Sequence, residues 1–244
     1  MGAYRLKMEL HAHTDFDPMD WIGHSAFQLI DEASRQRVGV LAITCHNALQ
    51  WSPSLKEYAQ NAGVLLIPAV EASIEGKDVL IYGLQEFNSP MNFCQLRALR
   101  QAEPEVFTIA PHPFFPGVTC LGTKVFDYSD CFDAIEYCHF YTSHVDFNRK
   151  AVQAARALNK PLIGTSDIHL LSQMGKTTTT VSVAEVSFSA VSAAIKKGDV
   201  RLDSRPLSWR QVFSYMLHLK IIGAKGLLAR LGLMERRNND SEHG

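Results

Sequence analysis

Two histidines one residue apart, His11 and His13, are followed at once by Asp15, Asp17 and Asp20 in the stretch "ELHAHTDFDPMD". At i and i+2 on an extended chain both imidazoles point to one face, so a strand ending here offers paired nitrogen ligands to a cation. A single H-x-H is weak evidence. However, Asp167 and His169 in "TSDIHL" repeat the spacing, while His46 in "ITCHN", Glu71 in "AVEAS" and His112 in "APHPF" each follow a short apolar run. Neutral imidazole nitrogens and carboxylate oxygens suit Zn, Mn or Fe. The set is too large for one ion, and a carboxylate such as Glu71 or Asp167 can bridge two. Two ions roughly 3.5–4 Å apart lower the pKa of a bridging water and clamp charge developing on a phosphoryl oxygen. No Ser-His-Asp or reactive-cysteine arrangement competes with that chemistry.

The elements that must position these groups alternate between strand and helix. "YRLKMELHAH" reads as a strand ending on the histidine pair. "SAFQLIDEASRQRVG" reads as a helix with Ser25 as N-cap and Gln28 completing a capping box. "VGVLAIT" delivers His46, "VLLIPAV" delivers Glu71, and "DVLIYGL" is a fourth strand with a helix in "SPMNFCQLRALRQAE". "EVFTIA" leads to His112, "FDAIEYC" to His139, and "KPLIGTS" to Asp167 and His169, after an amphipathic helix in "VDFNRKAVQAARALN". A last strand, "TTTTVSVAEV", and a helix, "SAVSAAIKKG", complete the alternation. The pattern predicts an α/β fold with a largely parallel sheet and helical crossovers. Ligands from so many strand ends reach one point more readily in a closed barrel than in an open sheet.

In order and spacing, "ELHAHTD", "ITCHN", "AVEAS", "APHPF" and "TSDIHL" resemble the motifs of the PHP (polymerase and histidinol phosphatase) metallo-phosphoesterases. The resemblance covers residues 9 to 170. It implies a distorted (β/α)7 barrel, TIM-like in plan, with two or three divalent metal ions (Mn, Zn or Fe). His11, His13, His46, Glu71, His112, Asp167 and His169 carry over as ligands. The family also draws a ligand from the loop after H-x-H. Asp17 and Asp20 are the candidates, Asp15 lying too close to His13 to swing across the barrel mouth. Cys45 stands where the family commonly has Asp before His, and reads as an inert buried residue. The family's fourth-strand histidine is not evident in "DVLIYGLQ". His139, after "IEYC", is a ligand or a substrate hydrogen-bonding group, and His139 and His169 are the candidates for protonating a leaving oxygen. His24 reads as a rim residue; His144, His218 and His243 read as structural or solvated. Trp51 could wall the pocket, although an aromatic at a strand-end loop is more often packing.

Residues 1–203 form the expected hydrolase domain. Residues 204–244 form a helical C-terminal extension, with Trp209, Val212, Phe213, Met216 and Leu217 at helical spacing. From Arg201 onward there are eight Lys/Arg against four acids. The extension therefore reads as an appendage packed on the barrel, or as a basic amphipathic face for a partner, an oligomer, an anionic surface or nucleic acid. No uninterrupted apolar run reaches the roughly 18 residues of a spanning helix, so no membrane span is expected. Five cysteines, an odd number without a CxxC pair, and charges where a signal peptide would be apolar suggest a reducing, cytoplasmic setting. A net charge of -1 gives no general push toward nucleic acid. The function expected is hydrolysis of a phosphomonoester, or of a nucleotide or oligonucleotide phosphate, through a metal-activated hydroxide. The substrate is a small phosphorylated molecule or a nucleic-acid end. Two alternatives stand beside it: an amidohydrolase-like enzyme acting on another bond, although no Lys occupies the place of a carboxylated lysine, and a PHP module that binds without catalysis.

Overall fold

In the computed structural model, which describes residues 3–233, the chain starts with β1 (Tyr4–Glu9), α1 (Ala26–Arg35), β2 (Val40–Ile43), α2 (Pro53–Asn61) and β3 (Leu65–Ile74). It continues through β4 (Lys77–Tyr82), α3 (Phe93–Ala102), β5 (Phe107–Ala110), the single turn α4 (Lys124–Asp127) and β6 (Ala134–Cys138). α5 (Asn148–Ala157), β7 (Leu162–Thr165), β8 (Thr177–Val183), α6 (Phe188–Lys197), β9 (Val200–Ser204) and α7 (Trp209–Arg230) follow. Local chemistry sets the helix starts. The Ser25 hydroxyl accepts the Gln28 N–H and the Gln28 side chain returns to the Ser25 N–H, the capping box read from sequence. The same reciprocal pair, Ser208 and Gln211, opens α7. Leu29, Ile30 and Ala33 of α1 and Leu55 and Ala59 of α2 bury against Leu41 and Ile43 of β2. Each large side chain so buried contributes about 1.5–3 kcal/mol.

The strands form one sheet in the order β7-β6-β5-β4-β3-β2-β1-β8-β9. It curls into a nearly closed barrel, the (β/α) architecture expected. At the seam the Thr179 hydroxyl of β8 accepts the Gly164 N–H of β7 at 2.7 Å and donates to the Gly164 carbonyl at 3.1 Å. A side chain on Gly164 would meet the Leu202 side chain of β9 and the Thr177 methyl and force them to shift, so glycine lets β9 pack closely over the seam. At the opposite end from the site, Phe188 of α6 stacks on Phe107 and fills the space above Gly83.

The sheet is not largely parallel. β1–β2, β2–β3, β5–β6 and β6–β7 pair parallel, but β3–β4, β4–β5, β1–β8 and β8–β9 pair antiparallel. Glu75 and Gly76, both with positive φ, turn β3 straight back into β4 and leave no room for a crossover helix. β9 escaped the sequence reading because "VRLDS" alternates charged and apolar residues instead of forming an apolar run. It ends at Ser204, so the boundary expected at residue 203 falls inside its last turn of chain.

α7 is long and apolar enough to cross a membrane by length and composition, its most apolar 18-residue stretch within Trp209–Ala229 having a mean hydropathy of 1.3. Lys220 and Lys225 interrupt its apolar runs without outweighing them. Tyr215, Ile222 and Gly226 form its buried stripe, and a Cβ on Gly226 would fall 2.3 Å from the Met19 carbonyl oxygen. The helix therefore lies directly on the loop that follows β1. Residues 234–244, His243 among them, lie outside the described residues.

Candidate metal centre

The five imidazoles of the motifs gather at the barrel mouth, and each has two distinct sides. On the Nδ1 side the contacts are ordinary hydrogen bonds. His11 Nδ1 is 2.8 Å from Glu136 Oε1, and His13 and His46 Nδ1 are each 2.9 Å from Asp17 Oδ2. His169 Nδ1 is 3.0 Å from its neighbour's carbonyl, Asp167 O, and His112 Nδ1 faces Cys120 Sγ at 3.4 Å. A hydrogen bond at one ring nitrogen fixes the tautomer and leaves the other nitrogen's lone pair for a cation.

The Nε2 side differs. Glu71 Oε2 is 3.1 Å from His11 Nε2, 3.3 Å from His46 Nε2 and 3.4 Å from His13 Nε2. Asp167 Oδ1 is 3.4 Å from both His11 Nε2 and His13 Nε2, and Glu71 Oε1 is 3.4 Å from His112 Nε2. Two atoms that each bind one ion at about 2.1 Å stand about 3.0–3.4 Å apart at octahedral or tetrahedral angles. Apart from the 3.1 Å His11–Glu71 hydrogen bond, the convergence is thus long for hydrogen bonding, and all of it is right for shared coordination. His13 Nε2 and Glu71 Oε1 are moreover buried without a hydrogen-bond partner among the described residues, a costly arrangement unless a cation completes it. This donor set fits divalent ions.

The electrostatics agree. Burial works against charge on His11, yet Asp167, Glu71 and Glu136 hold its pKa well above the ordinary imidazole value. Burial likewise disfavours the Glu71 carboxylate, but His11 and His46 hold it well below the usual range. Carboxylates packed among imidazoles demand positive charge, which protons or metal ions can supply. Two of the implicated residues are also strained, His112 at φ +26° and Asp167 at φ +44°. Left-handed backbone at a non-glycine residue costs roughly 1–3 kcal/mol, and such strain collects at functional sites.

The two loop acids read from sequence separate. Asp17 is fully buried on the Nδ1 side, and besides the two rings its Oδ2 accepts the His46 N–H at 2.8 Å. Its Oδ1 accepts the N–H groups of Met19 and Asp20 at 2.8 and 2.9 Å. Asp20 lies on the Nε2 side, its Oδ2 3.2 Å from His169 Nε2, and lines the cleft.

The cleft, about 230 Å³, is lined by His46, Glu71, Asp78, His112, Asp167 and His169 on its polar side and by Phe115, Phe140 and Leu219 on its apolar side. No Lys or Arg lines it among the described residues. His139 lies in its wall, and burial lowers its pKa to about 4, so the ring is neutral at pH 7. The tautomer follows from Gln173. The Gln173 Oε1 accepts the N–H groups of His169 and Leu170 at 2.8 and 2.6 Å, which turns its amide nitrogen toward His139 Nε2 at 3.1 Å. His139 therefore carries its proton on Nδ1, which has no partner among the described residues.

Three acids escaped the sequence reading. Glu136 stands in the middle of β6, where its Oε1 faces His11 and its Oε2 accepts the His112 N–H at 2.5 Å. Asp78, at the start of β4, groups with Glu71 and His112. β4 runs antiparallel, so its first residues, not its last, reach the mouth. Glu9 is buried with its Oε1 on the Ser166 N–H, and burial raises its pKa to about 8. A charged residue inside an apolar run, as in "DAIEYC" and "KMEL", was the available signal for Glu136 and Glu9.

The bystanders mostly fall as expected. Cys45 is buried, faces Thr14, and burial pushes its thiol up to about 12. Trp51 packs beside the α1/α2 core, away from the cleft. His144 is exposed and stacks on Trp209. His24 is not a rim residue: it is buried, and its Nε2–H donates to the His13 carbonyl at 2.9 Å, supporting the H-x-H backbone from behind.

A family model described as PHP-associated matches residues 146–200. No curated protein matches the sequence. A two-domain protein containing a predicted PHP-like metal-dependent phosphoesterase from Bacteroides vulgatus shares the fold with a TM-score of 0.66 and 19% identity. That match covers 89% of this chain and 71% of that chain. The lesion-specific endonuclease PfuEndoQ from Pyrococcus furiosus follows at 0.58 and 16%, over 82% of this chain and 58% of that one. An amidohydrolase from Chromobacterium violaceum gives 0.51 and 13%, over 85% and 96%. The architecture is that of the PHP-like barrels, in agreement with the resemblance carried by the motifs. Since these three differ in activity, fold alone does not choose the bond that is cleaved.

Proposed function

We propose that the chain is a metal-dependent phosphoester hydrolase. The observation that carries this reading is the convergence of four Nε2 atoms on Glu71, two of them also on Asp167, with every Nδ1 held from behind. His11, His13, Glu71 and Asp167 would hold one ion. Glu71, His46, His112 and Asp78 would hold a second, Asp78 supplying the donor that the fourth strand was expected to lack. Asp20, His169 and Asp167 surround a third position. Divalent ions there would supply Lewis acidity and acidify a water to near-neutral pKa.

The chain's own residues do the rest. Asp17 and Glu136 orient the rings and are not ligands: the lone pairs of Asp17 are taken up by two rings and three backbone N–H groups. His139, a neutral ring in the cleft wall, would offer its Nδ1–H to a substrate oxygen once substrate entry uncovers that buried atom. With no ion at that third position, His169, paired with Asp20, would be the group to exchange a proton with a leaving oxygen; with an ion there its Nε2 would be a ligand and carry no proton. With no Lys or Arg in the wall, phosphoryl charge is met by the centre itself, and Phe115 and Phe140 offer the leaving group an apolar face. A small phosphomonoester or a phosphorylated nucleic-acid end, acted on in the cytoplasm, fits this cleft.

A screen of phosphorylated metabolites and short 5′- and 3′-phosphorylated oligonucleotides with added Mn, read as phosphate release, tests the proposal. Turnover that chelator abolishes and Mn restores is expected. Cleavage of amides or lactones with no phosphate release would show the amidohydrolase-like reading to be the right one.

A further inference from the structure

We infer that α7 docks the protein on an anionic membrane surface, lying in the interface without spanning it. The helix is apolar on two opposite faces. Tyr215, Ile222 and Gly226 rest on the barrel. On the other side Phe213, Leu217, Leu228 and Leu231 recur at helical spacing and stand in solvent, Phe213 72% and Leu231 62% exposed. Trp209, Met216, Ile221 and Leu227 widen that face, and all four are exposed. A helix of a globular protein normally turns one apolar stripe inward and a polar face outward, and contiguous exposed apolar surface marks an interaction site.

Charge identifies the occupant. Between Asp203 and Glu235 the sequence has Arg205, Arg210, Lys220, Lys225 and Arg230, and no acid. A second copy docking face to face would set Arg210 and Lys220, exposed beside Phe213 and Leu217, against their own copies with no acid on the helix to answer them, while Lys225 stands over the Trp21 ring. A nucleic acid would answer the cations but leave Phe213, Leu217, Leu228 and Leu231 without an apolar partner. Anionic headgroups above acyl chains satisfy both: leucines and phenylalanine enter the acyl boundary while Lys and Arg side chains extend to the headgroups. An exposed Trp209 at the start of the helix suits the same boundary. The inward stripe explains why the helix lies flat. Tyr215, Ile222 and Gly226 already bind it to the barrel, and Leu219 forms part of the cleft wall. A spanning helix would have to abandon these contacts.

Flotation of the full chain with vesicles of phosphatidylcholine, with and without phosphatidylglycerol, tests the inference. Co-flotation with the anionic vesicles that high salt weakens is expected. The pair Phe213→Glu and Leu217→Glu should lower the vesicle-bound fraction about tenfold or more, with an unchanged melting temperature. Should that variant not fold, Arg210→Gln with Lys220→Gln should remove the preference for anionic over neutral vesicles. Absence of vesicle binding at both compositions would overturn the inference. So would a lipid-free dimer that the Phe213/Leu217 pair dissociates, oligonucleotide binding in place of vesicle binding, or retention on membranes through alkaline extraction. Phosphate release from a soluble substrate is independent of all these outcomes.

Discussion

The barrel mouth and the outer face of α7 depart from the usual distribution of polar and apolar groups in opposite directions. At the mouth, Glu71, Asp17, Glu136 and the rings of His11 and His13 are buried, where charge is expensive unless paired. Along α7, Phe213, Leu217, Leu228 and Leu231 are exposed, where apolar surface gains nothing from folding. The mouth is over-determined: each ring has a named partner on one side and one or two carboxylate oxygens on the other. On the outer face of α7 Trp209 stacks on His144, while Phe213, Leu217, Leu228 and Leu231 stand exposed. Both imply something bound, but the first implies a cation whose donors can be named atom by atom, and the second implies only a surface of stated chemistry. Directional groups specify a ligand; apolar ones specify a kind of neighbour.

That contrast can be broken most forcefully at the mouth. Asp167→Ala or His11→Ala should lower phosphate release by about a thousandfold or more, since the ions are asked for several kcal/mol of transition-state stabilisation. Circular dichroism should show the barrel intact. The loop acids sharpen the picture further. Asp20→Asn should reduce the number of ions bound, whereas Asp17→Asn should leave that number unchanged and weaken affinity about 10–100-fold, as loss of an orienting partner does. Metal titration followed by mass spectrometry reads both, and the reverse pattern would exchange the roles assigned to the two acids. Glu136→Gln belongs with Asp17→Asn, with a similar loss of affinity and no loss of stoichiometry.

A smaller effect concerns His139. Burial lowers its folded pKa from 6.5 to about 4, so as pH falls through that window the unfolded chain takes up a proton that the folded chain refuses. Native stability therefore drops between about pH 6.5 and 4, by at most about 3 kcal/mol from this group. Replacing His139 by Asn should flatten that part of the melting-temperature profile. At α7, Phe213→Glu with Leu217→Glu should leave hydrolysis of a soluble substrate unchanged, because the face they occupy points away from the cleft.

The sequence made the candidate ligands legible because histidines and acids after short apolar runs have few other reasons to recur. Seven motif residues and Asp20 meet at the mouth without any help from long-range information. The residues it concealed depend on register or on turn geometry. Glu136 and Glu9 look like isolated acids until the barrel shows that they share a face with the centre. Asp78 looks remote until the Glu75–Gly76 turn makes its strand antiparallel. The different positions of Asp17 and Asp20 rest on two backbone N–H groups that tie Asp17 Oδ1 into the loop and turn its other oxygen behind the rings. The same holds for α7. Its composition already offered a basic amphipathic face, but which residues form the outer face required knowing which stripe the barrel covers. Once Tyr215, Ile222 and Gly226 are assigned to the barrel, what remains outside is apolar with basic residues set among it.

Mn-dependent phosphate release and metal content, measured together on the purified chain, test the central claim most directly. The account predicts about two or more equivalents of Mn, Fe or Zn, with release of phosphate that disappears on chelation and returns with Mn. A fully folded chain that never takes up metal, and releases no phosphate in its presence, would contradict it.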